Sequence, residues 1–193
     1  MANVDAPFGF RPVRTLGGQP YSGGRTEYAI ASAYDTNIFT GDLVELHTDG
    51  TITVGAAAQT NIVGVFDGCY FVNSSGEPKW SKYWPASTTA TDIAAFVIDD
   101  PDMLYEVQED SSDVTVAAGV GSNADMVSTH AGSTSIQRSK QELDSSSVAT
   151  TAAQLRIISK STDPDNSDAT AANCNWIVRI NEHLYSGSGT AGI

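Results

Sequence analysis

The sequence is short of charge, and of positive charge above all. Only 17% of its 193 residues are charged, and 10 Lys and Arg stand against 23 Asp and Glu, for a formal net charge of −13. So few cations do not supply the clustered Lys and Arg that a phosphate backbone requires, which speaks against nucleic-acid binding. No apolar run is long enough for a membrane span, and the opening "MANVDAPFGFRPVR" lacks the continuous apolar region of a secretory signal. The 2 cysteines, Cys69 and Cys174, are too few for a disulfide framework and have no neighbouring Cys for a metal knuckle. Both thiols are expected to be free in a reducing cytoplasm. His47, His130 and His183 are dispersed, with no metal-type spacing, and no convincing helical pattern is present.

What is present favours strands. Ser, Thr, Asn, Gln, Gly and Ala must cover most of the surface, a composition that suits β-structure with polar turns. "GDLVELHTDGTITVG" predicts a hairpin, with Leu43, Val44 and Leu46 leading through Asp49-Gly50 to Ile52 and Val54. "NIVGVFDGCYFV" reads as a strand pair or one bulged strand, with Gly64 and Gly68 at the bends. Ala94–Ile98 and Met103–Gln108 read as strands joined by Asp99-Asp100-Pro101-Asp102. On the second strand Met103, Tyr105 and Val107 share one face, and Leu104, Glu106 and Gln108 the other. Residues 111–153 read as long polar loops, with a helical turn in "VGSNADMV"; 154–160 and 175–185 close the chain as strands. The expected fold is all-β, a compact β-barrel or β-sandwich body over 27–185, with a flexible tail at 186–193. Residues 1–26 carry 3 Pro, 5 Gly and 3 Arg against the single acid Asp5, and read as an extended arm or a disordered leader. Phe8, Phe10, Arg11, Pro12, Arg14 and Tyr21 are its candidate anchors on a neighbouring protein.

The chemistry-bearing patterns are weak. "IDDPDMLYEVQED" holds Asp99, Asp100, Asp102, Glu106, Glu109 and Asp110 with no basic residue. It could ligate a hard cation, but Asp is equally favoured at turns, and Glu106 and Gln108 are expected to meet water. The reading preferred is a solvent-facing edge whose charges discourage strand pairing. "DPDNSD" (163–168) opens like a calcium loop but has Asp168 where that loop needs Gly and Cys174 where it needs Glu. No nucleophile signature and no phosphate loop is found, and no cofactor is implied. Trp80, Tyr83 and Trp84 stand close together, as a core or interface group or as a glycan-stacking platform.

Four stretches together carry a family resemblance: "APFGFRPVR", "GDLVEL…DGTITV…NIVGVFDGCYF", "AFVIDDPDMLYEVQ…VGSNADMV" and "LRIISKSTDPDNSDATAANCNWIVRINEHLY". The chain resembles the capsid decoration, or cement, proteins of tailed bacteriophages. The resemblance implies a small β-barrel or β-sandwich on the outer surface of the phage head, made in the host cytoplasm and incorporated into the virion. It implies binding to the major capsid protein, a symmetric homo-oligomer such as a trimer, and stabilisation of the expanded shell without enzymatic activity. Residues 128–150 carry the resemblance least. A head–tail, tail or fibre component that binds host glycan is the alternative, and would be favoured by Trp80 and Trp84 exposed together in a concave site.

Overall fold

The structure, a computed structural model, describes residues 3–111, 114–128 and 132–186. From its N-terminal end the chain forms β1 (Arg11–Thr15), β2 (Thr26–Tyr28), β3 (Ile38–Phe39), β4 (Leu43–Leu46), β5 (Ile52–Val54) and the long β6 (Ile62–Asn73). There follow β7 (Pro78–Ser81), β8 (Tyr83–Trp84), β9 (Ala90–Ile98) and β10 (Met103–Gln108). A four-residue helix α1 (Val116–Gly119) precedes β11 (Asn123–Ala124), β12 (Met126–Val127) and β13 (Glu142–Leu143). The last strands are β14 (Leu155–Lys160) and β15 (Asn175–Ile180).

These strands make one antiparallel five-stranded sheet, β1-β10-β15-β14-β11, and one six-stranded sheet, β2-β9-β6-β4-β5 with β7 also paired to β6. Two small sheets, β3-β8 and β12-β13, complete the body. The fold is all-β and sandwich-like, and the sheets do not close into a barrel. The hairpin at 43–54 is as the sequence predicts: Asp49 Oδ1 accepts from Thr51 N at 3.0 Å and fixes the turn.

The six-stranded sheet is the middle layer. One face packs Leu43, Ile62, Val65 and Ile98 against Tyr105, Trp176 and Val178 of the five-stranded sheet. The opposite face packs Val44, Val63, Phe66 and Val97 against Ile38 and Trp84 of the small β3-β8 sheet. Both faces are apolar, so these segments read as continuous hydrophobic runs. Two bulges keep the faces in phase. Val44 pairs with Gly64 but Glu45 pairs with Ile62, which leaves Val63 as the extra residue. A Cβ on Gly64 would lie 2.2 Å from the carbonyl oxygen of Ile98, so only glycine permits β6 and β9 to approach there. A second bulge places Asp67 and Gly68 between the pairs Phe66↔Val97 and Cys69↔Ala95.

The N-terminal segment expected as an arm packs on the chain's own body over its described residues up to Thr15. β1 pairs with β10 along the sheet edge, with a bulge between Pro12 and Arg14. Phe10 is 1% exposed within the core between the two sheets. Ahead of it, Asn3 Nδ2 donates to the carbonyls of Asp168, Ala171 and Ala172, and Val4 N donates to Asn166 Oδ1 at 2.8 Å. The physical reason is that Phe10 finds its apolar cavity, and the backbone its hydrogen-bond partners, on the chain's own body. Two further expectations are corrected: the helical turn lies at 116–119, ahead of "VGSNADMV", which contributes β11 and β12. The last strand stops at Ile180, short of 185, and a 3-10 turn covers Leu184–Ser186. Of the expected tail 186–193, residues 187–193 lie outside the described residues.

This placement makes Phe10→Ala a core truncation. It is expected to lower unfolding stability by about 3–5 kcal/mol in urea titration. A residue in a detached arm would shift it by less than about 0.5 kcal/mol.

Candidate functional site

The acidic stretch divides in two. Asp99, Asp100 and Asp102 form the turn before β10, where Asp100 Oδ1 accepts from Asp102 N at 2.9 Å and Asp99 accepts from Thr26 and Tyr28. Asp102 also pairs with Arg179 at 3.1 Å. Glu106, Gln108 and Glu109 are buried, contrary to their expected exposure. β10 is an interior strand, flanked by β1 and β15, and its polar side chains are met by donors and acceptors from distant segments. Arg11 and Ser161 donate to Glu106. Gln108 bonds to Ala6 N and to the carbonyl oxygen of Val4. Trp176 Nε1 donates to Glu109 Oε2 at 3.0 Å, and Cys174 N to Oε1 at 3.3 Å. Among the described residues no group of three or more His, Cys, Asp or Glu is placed to hold a metal ion.

The remaining reactive groups are structural in their surroundings. Burial pushes the Cys69 thiol up to about 12 and Cys174 to about 11, so neither is a thiolate near neutrality. The two sulfurs sit in different cores and are free. His183 is fully buried and accepts from Tyr185 N at 3.1 Å, and burial holds its imidazole below the usual range. His47 is exposed beside Glu45, and His130 lies outside the described residues.

The candidate arm anchors make contacts within the chain. Phe10 is in the core, Tyr21 packs against the same core, and Arg11 pairs with Glu106 while lying 5.0 Å over the Phe8 ring. Pro12 and Arg14 pair with Tyr105 and Leu104. Phe8 and Arg11 remain partly open and line a groove with Val4, Ala6 and Arg138.

The aromatic trio separates as well. Trp84 is fully buried, and Tyr83 stacks on Phe39 with centroids 5.5 Å apart. Trp80 is 75% exposed, the most open large hydrophobic side chain among the described residues. The paired Trp80–Trp84 platform that would favour glycan binding is therefore absent.

What surrounds Trp80 follows from the register. β9 carries Ala94, Phe96 and Ile98 on one face, and Tyr70 pairs with both Ala94 and Trp80. Ile98 lies under the five-stranded sheet, whereas Phe96, Tyr70 and Trp80 lie past its cover. The middle sheet thus overhangs, and the overhang carries an aromatic ladder: Trp80 lies parallel to Phe96 at 5.6 Å and tilted against Tyr70 at 4.9 Å. Arg25 lies 5.3 Å over Phe96 and pairs with Asp67, which the second bulge turns outward, at 2.7 Å.

A groove of about 530 Å³ runs between Trp80, Phe96, Arg25, Lys82 and Gln137. A second, of about 380 Å³, shares Arg25, Lys82 and Gln137 and continues to Ile136 and Arg138. Its wall is a tight loop closed by reciprocal Ser133–Arg138 backbone bonds of 2.9 and 3.3 Å. Ile136, 65% exposed, sits on that loop and is second only to Trp80 among the exposed large hydrophobics of the described residues. The surface joins two open apolar side chains, an aromatic ladder and three exposed cations: the chemistry of a binding face. Nothing in the local sequence around 132–138 signals that this loop belongs beside Trp80.

Comparison with family models, curated proteins and solved structures finds no match to this chain.

Two buried carboxylates set a pH response. Burial raises Glu109 to about 7 and Asp42 to about 6. Between their ordinary values and these, the folded chain holds protons that the unfolded chain releases, so stability falls as pH rises through that window. These carboxylates act to lower melting temperature from pH 5 to pH 8 while buried neutral His183 acts in the opposite sense, and Glu109→Gln is expected to remove the Glu109 part of that fall. Equal slopes for the two proteins in a thermal series would show Glu109 to be ionised in the folded state.

Proposed function

We propose that this chain is a non-enzymatic virion protein that binds the outer surface of a tailed-phage head and stabilises the shell by bridging major capsid protein subunits. The sequence resemblance supplies the setting, and with it a homo-oligomer, a trimer being favoured. The observation that carries a docking role is the overhang, where Trp80 and Ile136 are held open beside Arg25, Lys82 and Arg138. Large exposed aromatic and Arg side chains in a groove are the groups that concentrate binding energy at protein interfaces. A body of stacked sheets with packed cores presents that face on a backbone that is already ordered. This reading puts the docking face at the overhang, to which Arg25 of residues 1–26 contributes. Repetition of weak contacts over a capsid lattice multiplies their strength.

Co-sedimentation with expanded cognate heads stripped of accessory proteins tests this. The expected result is saturable binding at a fixed simple ratio to capsid subunits, weakened about tenfold or more by Trp80→Ala. A folded chain that stays in the supernatant at all concentrations overturns the proposal.

A further inference from the structure

We propose that the overhang groove recognises an extended acidic segment of its protein partner, with an apolar side chain of that segment covering Trp80. This rests on the docking role above and specifies its chemistry.

Three observations lead to it. First, the face that carries Phe96, Tyr70 and Trp80 continues the face that carries Ile98, and at Ile98 the same face is covered by another layer of protein. The part beyond is apolar surface of the same kind, so it suits an apolar partner side chain. Second, the groove concentrates cations. Arg25, Lys82 and Arg138 are three of the 10 basic residues in a chain of net charge −13, and they surround Asp67 as the groove-lining carboxylate. Positive potential gathered at one place on an otherwise acidic surface steers anionic groups there and repels them elsewhere. Third, Asp67 and the Phe96 ring hold Arg25 in a fixed position; Asp67 offsets its charge, and Lys82 and Arg138 carry the rest of the positive charge at the groove.

The same features argue against other anionic or planar ligands. A nucleic acid would bring many phosphates against a net charge of −13 and gain only these few cations. A neutral sugar would leave the cations without a role, and the second tryptophan for a sandwich, Trp84, is fully buried.

Tryptophan emission provides the test. Trp84 and Trp176 are fully buried, so the solvent-exposed component comes from Trp80. The full chain is titrated with a capped synthetic peptide of alternating Glu and Asp around one Phe, and with its counterpart in which Lys replaces every acid. The acidic peptide is expected to give a saturable blue shift that weakens with added salt, and the basic peptide none. Lys82→Glu and Arg138→Glu, both at exposed positions, are each expected to weaken acidic-peptide binding about tenfold or more while leaving near-ultraviolet dichroism unchanged.

No shift with the acidic peptide on a folded chain overturns the inference, as does an equal response to both peptides. A blue shift that grows with chain concentration alone would place a second copy in the groove, and a shift with a neutral oligosaccharide would make it a sugar site; either result overturns it too. Heads separate this from the capsid reading. If heads bind wild type and both charge variants alike, the groove inference fails and capsid binding stands. If the acidic peptide binds and heads do not, the capsid reading fails and the groove chemistry stands.

Discussion

The structure depends on a sheet that is dry on both sides. Leu43 and Val44, Ile62 and Val63, Val65 and Phe66, and Val97 and Ile98 are neighbours that point into different cores. Burial of apolar area is the dominant favourable term in folding, and here one set of strands contributes it twice. The arrangement is demanding, because any slip of one residue exchanges the two faces. The bulge at Val63 and the bare Cα of Gly64 hold the phase at the point where β9 comes closest. The outer sheets are arranged around that layer, and the overhang is the part of it that neither covers.

Scarcity of surface charge goes with polar and charged groups inside. Glu106, Gln108 and Asn166 are buried and bonded to the N-terminal segment, and Glu109 and Asn175 are buried at the start of β15. A buried polar group is costly unless it is bonded, and these are bonded across long stretches of chain. Gln108 alone ties Val4 and Ala6 to β10. Such bonds favour one placement of the segment over the many that a Pro- and Gly-rich stretch could otherwise sample.

Local signals were legible and distant ones were not. The 43–54 hairpin is visible because Asp49 and Gly50 fix their own turn. The bend sites Gly64 and Gly68 are visible because glycine within an apolar strand has few other uses. Residues 1–26 read as an arm because nothing nearby in sequence reveals that Phe10 enters a core built from residues 43 to 180. Glu106 reads as solvated because Arg11 and Ser161 are far from it in sequence. Trp80 and Trp84 look alike as sequence, yet pairing of one with Tyr70 and the other with Ile38 sends them to opposite environments. The binding face needs β7, β9 and the 133–138 loop together, and no single stretch announces it.

The path of the N-terminal segment also bears on how the chain acquires its fold. β1 pairs with β10, β10 needs β15 on its other side, and Asn3 reaches the carbonyls of residues 168–172. During synthesis the five-stranded sheet therefore cannot close until Asn175–Ile180 has left the ribosome. Arg11–Thr15 thus waits for a strand made much later, and loop closure over such separations makes folding slow. Until then the apolar faces of β6 and β9 stand open, and the acidic excess, by keeping nascent chains apart, protects that interval as much as it serves the finished protein.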